Sequence, residues 1–274
     1  MALKATIVPV TPFQQNCTLL FDETTKSGVV IDPGGDLDRI QTAITEIGMK
    51  VEGIWLTHGH IDHAAGADEL REKLKVTITG PHLADKFLLD GLEAQAKQFN
   101  FPGVRNVTPD RWLAEGETAT VAGVPFKILH CPGHSPGSVV FVNVEAGIAI
   151  VGDVIFQGSI GRTDFPYGDT KALVSAVRTK LFPLGDDIVV ICGHGPASTF
   201  GEERQTNPFV GEAAGGWPLA SPSVQGPSGP VRFRRHLVSR FAGNLSALRA
   251  KVFRHRHQPK FGTASTALEQ NIDR

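Results

Sequence analysis

Short runs of branched apolar residues, each closed by glycine, proline or aspartate, alternate with longer amphipathic stretches between residues 4 and 193. The runs predict ten strands, KATIVPV, CTLLFD, GVVID, GIWLT, VTITG, TATVAG, FKILH, SVVFVNV, GIAIVGD and DIVVICG, since β-branched residues in runs of this length suit a pleated surface. Apolar residues at helical spacing predict helices over 36–47, 66–74, 82–98 and 170–181. In the first of these Leu37, Ile40, Ala43, Ile44 and Ile47 share a face, and Asp36 is placed to cap the free N–H groups. Many strands with a few helices among them predict an α/β fold of two sheets with helices outside.

Composition divides the chain in two. Residues 1–212 carry 17 Lys+Arg against 26 Asp+Glu, whereas residues 213–274 carry 10 against 2. Between them GGWPLASPSVQGPSGP, rich in Gly, Pro and Ser, reads as a flexible linker. The expected organisation is therefore a folded domain over 1–212 and a linker with a basic tail over 213–274. Within the tail Leu237, Phe241, Leu245, Leu248 and Val252 recur at helical intervals among Arg234, Arg235, Arg240, Arg249, Arg254 and Arg256. Two readings stand: a basic amphipathic helix for an anionic surface, a membrane face or nucleic acid, or a disordered or partly helical addition, since Gly243-Asn244 interrupts the pattern. No leader-like segment and no apolar run long enough for a membrane span is found, and Cys17, Cys131 and Cys192 suit a reducing compartment, so the expectation is a cytoplasmic chain.

One segment carries chemistry. THGHIDHAAG packs His58, His60, Asp62 and His63 between a predicted strand and a predicted helix. On a regular helix these residues would point around most of the circumference, so they are read as a loop that turns several side chains toward one point, with Gly59 supplying freedom. Three histidines and a carboxylate at a strand end predict a metal site rather than a polar surface loop. His134 in HCPGHSPGS, Asp153 in AIVGDVIF and His194 in VICGHGP also end apolar runs beside Gly or Pro. Five histidines and two aspartates exceed what one catalytic zinc takes, and suit two metals sharing a carboxylate.

THGHIDH, with IDPGGD before it and His134, Asp153 and His194 after it, resembles the signature of the metallo-β-lactamase superfamily over about residues 1–210. The resemblance implies a four-layer αβ/βα sandwich with two metal ions at the edge of the sheets. His58, His60 and His134 would hold one ion, Asp62, His63 and His194 the other, and Asp153 would bridge them. More narrowly, NCTLL, CPGHSPGSVVF, GDVIFQGSIGRTDFP and CGHGPAST resemble the hydroxyacylglutathione hydrolase (glyoxalase II) family in its short form, which implies methylglyoxal detoxification through glutathione thioesters. The basic tail has no counterpart in that form.

The chemistry agrees. Two divalent ions lower the pKa of a shared water from near 15.7 toward about 7, and the resulting hydroxide is expected to attack a thioester carbonyl, with Asp62 orienting it as the catalytic carboxylate. A thiol of pKa about 8.5 leaves as thiolate without a strong acid. An all-N/O donor set takes Zn first, with Fe or Mn accommodated. Many metallo-β-lactamases have cysteine where this chain has Asp153, which speaks against an antibiotic-hydrolysing role.

The resemblance implies that Asp32 is the partner that orients the histidines; the alternative is a helix-entry turn residue. Arg162 stands where the resemblance to glyoxalase II implies a basic residue contacting the glutathione part of the substrate; the alternative is an internal ion pair with Asp164 or Asp169. Cys131 and Cys192 are expected to pack as small apolar groups, and His82 and His130 to be structural or surface residues. Persulfide dioxygenases resemble this chain in GRTDF and would use one iron on His58, His134 and Asp153; a lactonase of the same fold is a further alternative.

Overall fold

The computed structural model describes residues 2–214, except Asn100 and Pro102. The linker and the basic stretch over 231–257 lie outside the described residues. The first sheet holds β1 (Leu3–Val10), β2 (Gln15–Asp22), β3 (Ser27–Ile31), β4 (Lys50–Trp55) and β5 (Thr77–Thr79), side by side in that order. It is antiparallel from β1 to β3 and parallel from β3 to β5. The second contains β6 (Thr118–Val121), β7 (Val124–His130), β8 (Val139–Asn143) and β9 (Ile148–Gly152), and a small hairpin of β10 (Ile155–Phe156) and β11 (Ser159–Ile160) follows β9. With β12 (Val189–Cys192) and β13 (Ser198–Thr199) the second sheet runs β13-β12-β9-β8-β7-β6. The helices are α1 (Leu37–Ile47), α2 (Ile61–Ala64), α3 (Ala67–Leu74), α4 (Lys86–Asp90), α5 (Leu92–Phe99), α6 (Thr170–Ala176) and α7 (Phe200–Thr206).

The apolar runs are continuous because both faces of most strands are buried. Leu20, Val29, Ile31 and Trp55 of the first sheet pack on Phe126, Ile128, Val139, Phe141 and Ile150 of the second. Trp55 stacks on Phe141 at 4.7 Å and meets Phe126 edge-on. Alternate residues face outward: Leu19, Val30 and Ile54 pack beneath α1 and α3 with Ile40, Ile44 and Leu70, while Val140, Val142, Ala149 and Val151 pack with Ala176, Val177 and Leu181. The result is the expected four-layer αβ/βα sandwich.

All ten predicted strands are present, and the three unforeseen ones, β10, β11 and β13, have two residues each, too few to show a period. The helix expected over 82–98 is broken into a 3-10 turn (Leu83–Asp85), α4 and α5, because Gly91 ends α4 and lets Leu89 and Leu92 both reach the core. The helix over 170–181 passes from α6 into a π turn at Val177–Leu181. Asp36 does not cap α1. Its backbone is left-handed, with φ 48°, and its Oδ2 accepts the Thr11 N–H at 2.9 Å, fastening the β1–β2 turn instead.

Candidate metal centre

Strand direction brings the polar loops together. β3 and β4 run parallel, as do β9 and β12, and β7 runs the same way as β9 because both are antiparallel to β8. Asp32, the 57–63 loop, Asp153 and the 193–195 loop therefore leave the C-terminal ends of parallel strands, where open α/β sheets present their sites. His134 follows β7 at the same edge. The sheets are tied there by the Val139 N–H to the Thr57 carbonyl at 2.9 Å and the Asn16 N–H to the Gly193 carbonyl at 2.7 Å. Gly193 is needed, since a Cβ there would overlap Asp153 Oδ1 and the His63 ring.

Each of four histidines spends one ring nitrogen on a partner and turns the other inward. Asp32 Oδ1 accepts the Thr57 N–H at 2.8 Å, and its Oδ2 accepts the Thr57 hydroxyl at 2.6 Å and His63 Nδ1–H at 2.9 Å. With its proton committed, Thr57 Oγ1 accepts from His58 Nδ1 at 3.0 Å. His134 Nδ1–H donates to the Arg162 carbonyl at 2.8 Å, and His60 Nε2 meets the Tyr167 hydroxyl at 2.9 Å. These partners set the tautomers and aim the remaining lone pairs. His58 Nε2 thus lies 3.1 Å from His60 Nδ1, which lies 2.9 Å from His134 Nε2. Three lone pairs facing one another repel unless a cation sits among them, and donors tetrahedral about zinc stand roughly 3.3 Å apart. Burial and the neighbouring imidazoles keep His58 and His60 neutral, His60 being pushed down to about 3.

A second donor set adjoins the first. Asp62 Oδ2 lies 3.2 Å from His194 Nε2 and 3.8 Å from His63 Nε2. Asp153 stands between the sets, Oδ1 3.3 Å from His63 Nε2 and Oδ2 3.5 Å from His134 Nε2 and 3.6 Å from His194 Nε2. His63 Nε2 and Asp153 Oδ1 are buried without a hydrogen-bond partner, the signature of donors that await an ion. Burial opposes the charge on Asp153, yet the His63, His134 and His194 rings outweigh it and hold the carboxyl well below its usual range. Burial likewise opposes charge on His63, but Asp153 and Asp62 push that ring up. Two clusters of donors able to hold an ion result: His58, His60, His134, and Asp62, His63, His194. Asp32 lies close enough to His58 and His63 to form a third, but its oxygens are already taken by N–H and O–H donors, so it holds the rings and not an ion.

All seven predicted metal-binding residues meet at one place. The loop reading of residues 58–63 needs correction, since Ile61–Ala64 form a helical turn that carries Asp62 and His63. Arg162 is exposed, paired bidentately with Asp164 at 2.9 Å and lying over the Phe165 ring, while Asp169 caps α6. Cys131 and Cys192 are buried, and His82 stacks on His130 with ring centres 4.1 Å apart. Sequence reasoning missed Thr57, Tyr167 and the buried Asp85. Tyr167, the chain's single tyrosine, lies five residues beyond Arg162 in the segment GRTDFPYG; Thr57 opens the quoted motif; Asp85 had no signal.

A family model described as the metallo-beta-lactamase superfamily matches residues 10–194. A hydroxyacylglutathione hydrolase GloC of Haemophilus influenzae is 47% identical over 205 residues, covering 74% of this chain and 96% of the relative. A crystal structure of BLEG-1 B3 metallo-beta-lactamase aligns with TM-score 0.69 and 33% identity over 76% of this chain and 99% of that one. The structure of TTHA1623 in a di-iron-bound form aligns with TM-score 0.67 and 35% identity over 74% and 99%. Among the described residues no helix is long and apolar enough to cross a membrane.

Proposed function

The chain belongs to the metallo-β-lactamase superfamily and is a metallo-hydrolase, and on that premise we propose that it cleaves glutathione thioesters, S-2-hydroxyacylglutathiones such as S-lactoylglutathione, to glutathione and a 2-hydroxy acid. The likeness to hydroxyacylglutathione hydrolase GloC carries the substrate class. We assign His58, His60 and His134 to one divalent ion and Asp62, His63 and His194 to a second, with Asp153 shared. Zinc is the first choice, and iron or manganese fits the same nitrogen and oxygen donors. When bound, such ions acidify water to a pKa near 7 and polarise a carbonyl oxygen.

The side chains supply the rest. Asp62 is partly exposed, and although burial opposes its charge, His63 and His194 hold its carboxyl below the ordinary range. It is an acceptor at neutral pH, placed to orient a water for attack and to take up its proton. A departing thiolate needs no acid, since a thiol titrates near 8.5; an amide nitrogen would need one. Purified protein is expected to contain about two metal equivalents and to cleave S-lactoylglutathione without oxygen uptake or β-lactam hydrolysis. One iron per chain with persulfide-dependent oxygen consumption would replace this reading with a dioxygenase.

Arg162 is proposed to hold an anionic part of the thiol carrier. Its partner Asp164 is as exposed as itself, 67% against 68%, and an ion pair in water is worth little, so a substrate carboxylate can compete for the guanidinium. Arg162→Ala should lower kcat/KM for glutathione thioesters about tenfold and spare a small uncharged thioester. Added salt should reproduce part of the loss. His134 keeps its hold throughout, because its acceptor is the backbone carbonyl of residue 162. Equal losses on both substrates with a lower melting temperature would make Arg162 a brace for its loop.

A further inference from the structure

Asp85 is buried at 0% exposure in the 3-10 turn after β5 and is not one of the residues assigned to either ion. Its carboxylate accepts three hydrogen bonds from both halves of the sandwich. Oδ2 takes the Gly59 N–H at 2.8 Å and the Ser135 hydroxyl at 2.7 Å, and Oδ1 takes the Gly137 N–H at 2.5 Å. Gly59 stands between His58 and His60 at the end of the first sheet, and Ser135 follows His134 at the end of the second. The packing is close: a Cβ on Gly137 would lie 2.6 Å from Asp85 Cγ. The His82 N–H to Gly137 carbonyl bond, 3.1 Å, ties the same turn to the same loop.

We propose that Asp85 is a positioning residue that fixes the distance between the His58/His60 loop and the His134 loop, and so sets the geometry of the three-histidine pocket. The proposal rests on reading that pocket as a metal site. A carboxylate suits the task because it only accepts, and all three groups facing it donate. In Asp85→Asn one amide N–H must oppose a backbone N–H, which pushes one ligand loop from the other while leaving volume unchanged.

The test is a titration of metal-free protein with cobalt(II), followed by its d–d absorption. A His194→Ala background isolates the three-histidine pocket, and a His60→Ala background reports the other donor set. Asp85→Asn should weaken cobalt binding at the three-histidine pocket about 10- to 100-fold and change its band, while the other set stays within about twofold. Unchanged affinity and spectrum at the pocket would overturn the proposal, and so would equal weakening of both sets together with a fall in the melting temperature of the metal-free chain. Should Asp85→Asn fail to fold, Ser135→Ala decides: removing one of the three donors should weaken the same pocket severalfold, and unchanged binding overturns the proposal. No cobalt band at all in the His194→Ala protein would instead overturn the metal reading on which this rests.

Discussion

Alanine in place of Asp153 is expected to lower turnover of S-lactoylglutathione by about 10³-fold or more, roughly 4 kcal/mol of barrier, and to halve the bound metal. The two oxygens of Asp153 face different donor sets, Oδ1 toward His63 and Oδ2 toward His134 and His194. Its loss would take a donor from each ion and leave two cations with less negative charge between them, a repulsion that a buried site screens poorly. Asp153→Cys should keep one ion and bridge badly. Metal analysis beside initial rates checks this, and an alanine protein with two metals and near-normal turnover would end the shared-carboxylate assignment.

Asp32→Ala should come second. Three buried donors, the Thr57 N–H, the Thr57 hydroxyl and His63 Nδ1–H, would lose their acceptor, at about 1–3 kcal/mol for each left unpaired. Residue 32 also has φ 52°, a conformation that aspartate tolerates better than alanine. Partial relaxation leaves a net loss of about 3–5 kcal/mol, a melting point lower by roughly 10 °C, with metal affinity down 10- to 100-fold. Asp32→Asn separates the two effects. It keeps the backbone and one acceptor, but its amide N–H favours a His63 whose Nδ1 accepts, which puts the proton on the nitrogen that should face the ion. That protein should melt near the parent and still lose the metal held by Asp62, His63 and His194. A full complement of metal in Asp32→Asn would contradict the tautomer assignment.

The chain announced its ligands because the segments that carry them end apolar runs beside Gly or Pro, and the C-terminal ends of parallel neighbouring strands in the two packed sheets converge whatever lies between them. The groups that aim the ligands were less legible. Asp32 was legible through the resemblance of IDPGGD, but Thr57 is recognisable only once β3 and β4 are known to be neighbours, and Tyr167 reaches His60 across more than a hundred residues. Asp36 shows the limit of local rules, for a side chain placed to cap a helix was claimed by Thr11, twenty-five positions away. Gly91 could have been read as a break within 82–98, but the apolar spacing across it runs on almost without interruption.

The loop from Gly161 to Tyr167 does two jobs with one backbone. The Arg162 carbonyl anchors His134, the Tyr167 hydroxyl meets His60, and between these anchor points the Arg162 side chain lies exposed over the Phe165 ring. For laboratory evolution this makes residue identity and loop length unequal currencies. The side chain at 162 is free to drift toward new thiol carriers, because it supplies no anchor, whereas Phe165 stacks on Tyr167 and packs against the His60 and His134 rings. An insertion or deletion anywhere in the loop slides the carbonyl or the hydroxyl off its imidazole, so a library that varies length will be dominated by clones that have lost their metal before their specificity is ever sampled.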